Sequence, residues 1–272
     1  MPVVFEAAAD APLGGKLVDF TARHIDPKVN ISGRYTNSAD FVLGQPNNTV
    51  YYPCVVNKIP IVVVEELPFE LEIQQPKAPI VRNGSMNLKV IAKRKEGFKG
   101  AIRVEFPFRP PGIGTTSAVT IPAGKTEAYY PLSANANAQI KKWPIYVIGS
   151  SDVGGSAWVS SQLASLEIAD QFVTLELQRT SCEQGQDTQI LAKLNHAAPF
   201  EGKAKVQLFG LPVKVTTDVL EFTKETKELI FKIKTDKTSP AGKHRNVFAS
   251  VTIMKEAEPI VARAGATELQ KD

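Results

Sequence analysis

The sequence predicts an all-β protein made of tandem sandwiches. Three observations lead there. Short segments alternate apolar and polar residues with period two between Pro- and Gly-bearing turns. No segment keeps an apolar stripe at i, i+3, i+4, i+7 for three turns, and 19 prolines oppose long helices. The chain also repeats itself.

The repeat is read from four segments in the same order. "GSMNLKVIAKR" from Gly84 returns as "GQDTQILAKLN" from Gly185, 101 residues on. "FKGAIRVEF" from Phe98 matches "FEGKAKVQL" from Phe200 at 102, and "TEAYYPL" from Thr126 matches "KELIFKI" from Lys227 at 101. "KKWPIYVIG" from Lys141 matches "GKHRNVFAS" from Gly242, again at 101. "GGKLVDFTA" from Gly14 fits the same column, setting Lys16 against Lys243. Residues 1–69 are therefore expected to be a partial sandwich, the C-terminal half of a third copy, as if cut from a longer array. Residues 70–170 and 171–272 are expected to be complete.

Taken in order, the first module has "GGKLVDFTA", then a long excursion over residues 24–57. Its "FVL" and "TVYYPCVV" read as an inserted hairpin, and "IPIVVVEE" closes the module. The middle module opens with "PFELEI". In "MNLKVIAKR", Met86, Leu88, Val90 and Ala92 share one face. "KEGFKG" is a turn, "AIRVEF" alternates again, and "PPGIG" breaks it. "SAVTI", "PAGK" and "TEAYYPL" read as strand, turn and strand. "WPIYVIG" and "AWVSSQLASLEI" finish the module. About seven strands in roughly 100 residues is immunoglobulin-like spacing.

Comparing the copies predicts the faces. Ala128, Tyr130 and Leu132, with Leu229, Phe231 and Ile233, are expected in the core. So are Tyr146 and Ile148, with Val247, Ala249, Phe20 and Ala22. Ile145 is expected to face water. The linkers "EELPFE" and "IADQFVT" are too short for flexible tethers, which predicts a rod of fixed modules.

Composition excludes several function classes. Hydrophobic residues make up 43% and charged residues 22%, a globular balance. The net charge of +4 is spread along the chain, and only Lys141 and Lys142 adjoin within the most basic stretch, so nucleic acid is not an expected partner. No apolar run reaches the roughly 20 residues of a membrane helix, and "MPVVFEAAADAPLGG" lacks the basic and apolar regions of a signal peptide. Cys54 and Cys182 lie in different modules, so no disulfide is expected within a module.

The segment "LEIQQPKAPIVRNGSMNLKVIAKRKEGFKGAIRVEF…PPGIG…SAVTIPAGKTEAYYPLSANA" resembles immunoglobulin-like repeat modules of large exported bacterial proteins. It is most similar to planctomycete arrays that also carry pre-peptidase C-terminal domains. The resemblance covers residues 71–170 well and 171–272 more loosely, since "PPGIG" becomes "FGLPV" and "IPAGKTE" becomes "FTKETKE". It implies spacer or interaction modules outside the cytoplasm, secreted, periplasmic or on the cell surface. It transfers no catalytic residue.

The chemistry-bearing residues agree with a non-enzyme. His24, His196 and His244 have no partners at metal-ligand spacing and read as surface turn histidines. No nucleophile elbow, P-loop or dinucleotide fingerprint is present. Glu65 and Glu66 are adjacent in a strand and so point apart. Acidic residues at the module junctions, Glu66 and Glu70, Glu167 and Asp170, form no D-x-D-x-D-G loop, and no calcium or other cofactor is expected. Aromatics could stack on sugar, the candidates being Tyr51, Tyr52, Tyr129, Trp143 and Trp158, with Trp143 and Tyr129 expected to be exposed. The function expected is non-catalytic: spacing or presenting the other domains of a parent chain, with adhesion to a cell-surface protein or carbohydrate. The alternative is a carbohydrate-binding or accessory module of a secreted hydrolase or peptidase.

Overall fold

The computed structural model describes every residue except Met1, Ala9, Pro46, Asn48 and Asp272, and all side chains in strands but that of Val42. Met1, from which the partial copy was counted, thus lies outside the described residues. The described chain is strand and turn throughout, without a helix. It divides into two compact units, Phe5–Glu66 and Leu67–Asp272, the latter with Met1–Val4.

The described residues of the first unit form three two-stranded ribbons. Strand β1 (Gly14–Val18) pairs with β6 (Ile59–Val63), and β2 (Thr21–Arg23) pairs with β3 (Ser32–Arg34). The inserted excursion forms the hairpin of β4 (Asn37–Gly44) and β5 (Thr49–Val56). None of the unit's described residues is fully buried. Phe20, expected in a core, is half-buried edge-on to Phe5, and Ala22 is exposed. The physical reason is that a two-stranded ribbon has no second layer to cover its apolar face.

The second unit is two sandwiches. The earlier one comprises β7 (Phe69–Ile73), β8 (Ile80–Val81), β9 (Gly84–Arg94), β10 (Ile102–Glu105), β11 (Ile113–Thr115), β12 (Ala118–Ile121), β13 (Glu127–Ala134), β14 (Lys141–Ile145), β15 (Ile148–Asp152), β16 (Ser156–Ser160) and β17 (Ala164–Ala169). One layer runs β11-β13-β9-β7. The facing layer is split between β12-β10-β15-β16 and β14-β17-β8. Between them Phe69, Leu88, Val90, Ile102, Val104, Ile121, Tyr130 and Leu132 form the core. The hydroxyl of the buried Tyr130 donates to Thr116 O at 3.0 Å, so its burial leaves no polar group unpaired.

The later sandwich comprises β18 (Val173–Leu177), β19 (Thr180–Cys182), β20 (Thr188–His196), β21 (Ala204–Phe209), β22 (Val215–Thr216), β23 (Leu220–Phe222), β24 (Glu228–Thr235), β25 (Gly242–Lys255) and β26 (Glu258–Lys271). Its layers are β18-β20-β24-β22 and β23-β21-β25-β26. The core is Leu175, Ile190, Val206, Phe231, Ile233, Val247, Ala249 and their neighbours. Lys271 is buried at its edge, its ammonium donating to Asp236 O and Ser239 O at 3.2 Å each.

The two sandwiches differ where the copies were aligned. In the later one β25 and β26 run unbroken for 14 residues each. In the earlier one both strands break and change partners: β14 pairs with β17, whereas β15 pairs with β16 and β10. Buried Ser161 sits at the break, where its Oγ accepts Val147 N–H at 3.1 Å and its hydroxyl donates to Gln162 O at 2.9 Å. This break corrects the expected faces. Ile145 and Val147 are fully buried, whereas Tyr146 and Ile148 are half-exposed. The register shift of β25 between His244 and Val247 adds one residue to the later copy. Burial thus matches Ile145 with Val247 and Val147 with Ala249, 102 residues apart. The first unit shows the same change of partners, with β1–β6 and β2–β3 pairing as β14–β17 and β15–β16 do.

The motif turns follow the sequence. Gly112 of "PPGIG" has φ 85°, a left-handed conformation that disfavours any side chain, and a Cβ there would overlap the Ala138 backbone.

Candidate functional site

The second unit's two sandwiches meet through a continuous sheet. Strand β26 pairs with the start of β9, Val261 opposite Ser85 and Ala262 opposite Gly84. Gly84 is required there by proximity, since a Cβ would stand 2.5 Å from Val261 O and 2.6 Å from Val81 O. Around this ladder, Arg263 N–H donates to Asn83 O, and the Gln171 amide donates to Arg263 O at 2.7 Å. Glu258 Oε2 accepts the backbone N–H groups of Lys77 and Ala78 at 2.8 and 3.0 Å. Ala78 and Val81, which precede β9, pack into the later sandwich's core.

A cleft of about 520 Å³ opens beside this ladder, within the roughly 300–1,000 Å³ range of small-molecule sites. It exists because β9 has two neighbours on one edge. Strand β7 covers Val90–Arg94, Gln74 N–H just beyond it donates to Lys89 O, and β26 covers Gly84–Ser85, leaving residues 86–88 between their ends. Continuing the β26 register would set Pro259 opposite Asn87. Proline has no N–H to extend the ladder, so the strands diverge. Alternation turns Ser85, Asn87 and Lys89 outward, away from buried Leu88 and Val90.

Tyr129 stands on β13 directly across from Lys89 and is 54% exposed. Lys89 Nζ lies 6.0 Å from its ring centroid and 2.6 Å from Glu127 Oε2, and the Tyr129 hydroxyl lies 3.5 Å from Glu127 Oε1. The ring is thus held between an ammonium and a carboxylate. Hydrogen bonding to Lys89 holds the Glu127 carboxyl below its ordinary range, and the same bond raises Lys89. Gln74 and Glu258 complete the rim. Glu258 follows the β25–β26 turn, whose residues Glu256 and Ala257 have φ 48° and 65°. Both are non-glycine residues in the left-handed region, as a two-residue hairpin turn with two positive φ angles requires.

Of the aromatic candidates, only Tyr129 lines this cleft. Trp143, expected to be exposed, is half-buried against the earlier core; its indole donates to Gln139 O at 3.2 Å, and Phe108 and Lys141 flank the ring. Strand β14 carries it next to the break that moved Ile145 inward. Tyr51 and Tyr52 are each 61% exposed on β5, on opposite faces, so they form no common platform. Trp158 is exposed on β16. Sequence reading missed Gln74, Asn87, Lys89 and Glu258. Only the sheet junction brings them together, and the one local signal was Pro259 inside a strand.

The remaining chemistry is dispersed. His24 bonds within its turn to Asp26, as expected. His196 is not on a surface turn: it ends β20 between Phe200 and Phe222, with Nε2 2.7 Å from Thr226 O. His244 lies in β25 rather than a turn. Asp170 pairs with Arg82 at 3.7 Å and Glu167 with Lys142 at 3.7 Å, so these two carboxylates of the later junction have separate cations. Among the described residues, no three of His, Cys, Asp and Glu converge as a metal site. Neither Cys54 nor Cys182 is in a disulfide. Among the described residues, no helix is long and apolar enough to cross a membrane.

No family model and no curated protein matches the chain. Among solved structures it is similar to a protein of unknown function from Porphyromonas gingivalis W83, with 14% identity over 75% of this chain and 99% of that one, TM-score 0.27. The D0-D1 domain of intimin matches with 13% identity over 74% of this chain and 97% of that one, TM-score 0.26. Fibronectin(III)-like modules of Clostridium thermocellum CbhA match with 9% identity over 74% and 94%, TM-score 0.25.

Proposed function

We propose that the chain is a non-catalytic structural and interaction segment of a larger exported bacterial protein, a spacer or presentation rod that holds other domains of that protein at a set distance and orientation. One observation carries this reading. The two sandwiches are joined by the β9–β26 ladder, the Glu258 bonds and the shared burial of Ala78 and Val81, rather than by a tether. A junction of this kind transmits orientation from one module to the next. Residues 5–66 are read as the later half of a further sandwich, because their pairing repeats that of β14–β17 and β15–β16. A site outside the cytoplasm, in an array of the planctomycete type with pre-peptidase C-terminal domains, is supported by the motifs "GFKG", "PPGIG" and "IPAGKTE".

Residual dipolar couplings on the full chain test the reading. A single alignment tensor fitting both sandwiches of residues 67–271 is the expected result. Two tensors of different magnitude would mean a hinge, and the spacer reading would fall.

A further inference from the structure

Independently of the spacer reading, we propose that the cleft where β7 and β26 diverge around β9 binds a short neutral oligosaccharide. Its wall offers an exposed, laterally held aromatic ring, Tyr129, beside two amides, Gln74 and Asn87, and a hydroxyl, Ser85. An aromatic face covers the apolar C–H face of a pyranose while amides and a carboxylate meet its equatorial hydroxyls. Glu258 spends Oε2 on Lys77 and Ala78, leaving Oε1 to accept from sugar hydroxyls. The charge beside the ring is already balanced, since Lys89 pairs with Glu127. A charged ligand would have to break that pair.

The geometry disfavours an extended peptide. Strand addition needs an open edge, but this gap spans only residues 86–88 and is closed at one end by β7 and Gln74 and at the other by β26. A compact, polyhydroxylated ligand fits such a closed slot. Because Glu258 and Pro259 belong to the later sandwich while Asn87 and Tyr129 belong to the earlier one, the ligand would touch both.

The test is amide chemical-shift mapping on the full chain with three trisaccharides at millimolar concentration: the β-1,4-linked glucose trimer, the α-1,4-linked glucose trimer and the β-1,4-linked N-acetylglucosamine trimer. The expected result is saturable shifts at Ser85, Asn87, Lys89, Tyr129 and Glu258 with at least one of them. Tyr129→Ala is expected to weaken that binding by about tenfold. Asn87→Ala should weaken it less, and Tyr51→Ala should leave it unchanged. All of these side chains are exposed, so the variants keep the fold. No saturable shift at residues 85–89 with any trimer overturns the proposal. So does binding that survives Tyr129→Ala at full strength, or equal shifts from trialanine.

Discussion

Residues 5–66 and 67–271 have the same alternating strands, yet only the second set buries them. Phe41, Tyr51, Tyr52 and Val55 are all more than 60% exposed, whereas Phe69, Tyr130 and Phe231 are essentially inaccessible. The difference is not strand propensity, since β4 and β5 are as long as β13 and β24. It is the presence of a facing layer. Alternation specifies which side chains could be inside, but only a second sheet makes an inside.

This comparison can be broken most directly with a pair of truncations. Phe231→Ala should cost about 3–5 kcal/mol, while Phe41→Ala should cost less than about 0.5 kcal/mol, as read from urea unfolding midpoints. Equal losses would mean that the first unit has a core after all. Gly112→Ala should cost about 3 kcal/mol, combining a left-handed backbone with overlap on Ala138, and a near-neutral result would deny that turn its role in closing the earlier sandwich. Ser161→Ala should cost about 1–2 kcal/mol by leaving Val147 N–H unpaired at the strand break. An unchanged melting temperature would show that the break is not held by that bond.

The smallest effect is electrostatic. Hydrogen bonds from the Thr238 hydroxyl and N–H, at 2.5 and 2.7 Å, hold the Asp236 carboxyl below its ordinary range. A depressed carboxyl favours the folded state above the unfolded value, near 3.8, and that contribution is lost as pH falls through the folded value. Asp236→Asn should therefore flatten the acid limb of the stability profile and leave the profile near neutrality little changed in shape. An identical acid limb in the variant would assign it to other groups.

The sequence made the modules legible because a duplication compares each strand with a second copy of itself. Tyr130 with Phe231 and Leu132 with Ile233 fell on the correct face for that reason. The comparison failed at Ile145, where one added residue in β25 reverses inside and outside. Trp143 was misplaced on the same strand, which no single-copy periodicity could reveal. The cleft was illegible for a different cause. Tyr129 and Glu258 are 129 residues apart in the chain. They meet only through the β9–β26 ladder, a pairing between repeats that comparison of each repeat with the other does not show.

Because Ala78 and Val81 complete the later core, the repeat and the cooperative unit are different lengths of chain. Cutting between residues 170 and 171 would divide the repeats but would leave the later piece without two of its own buried side chains. During synthesis the order is favourable, since residues 78–81 leave the ribosome well before β26 arrives to cover them. Heat should then melt the two sandwiches as one transition, with a calorimetric enthalpy matching the van't Hoff value for the pair rather than for a single bead.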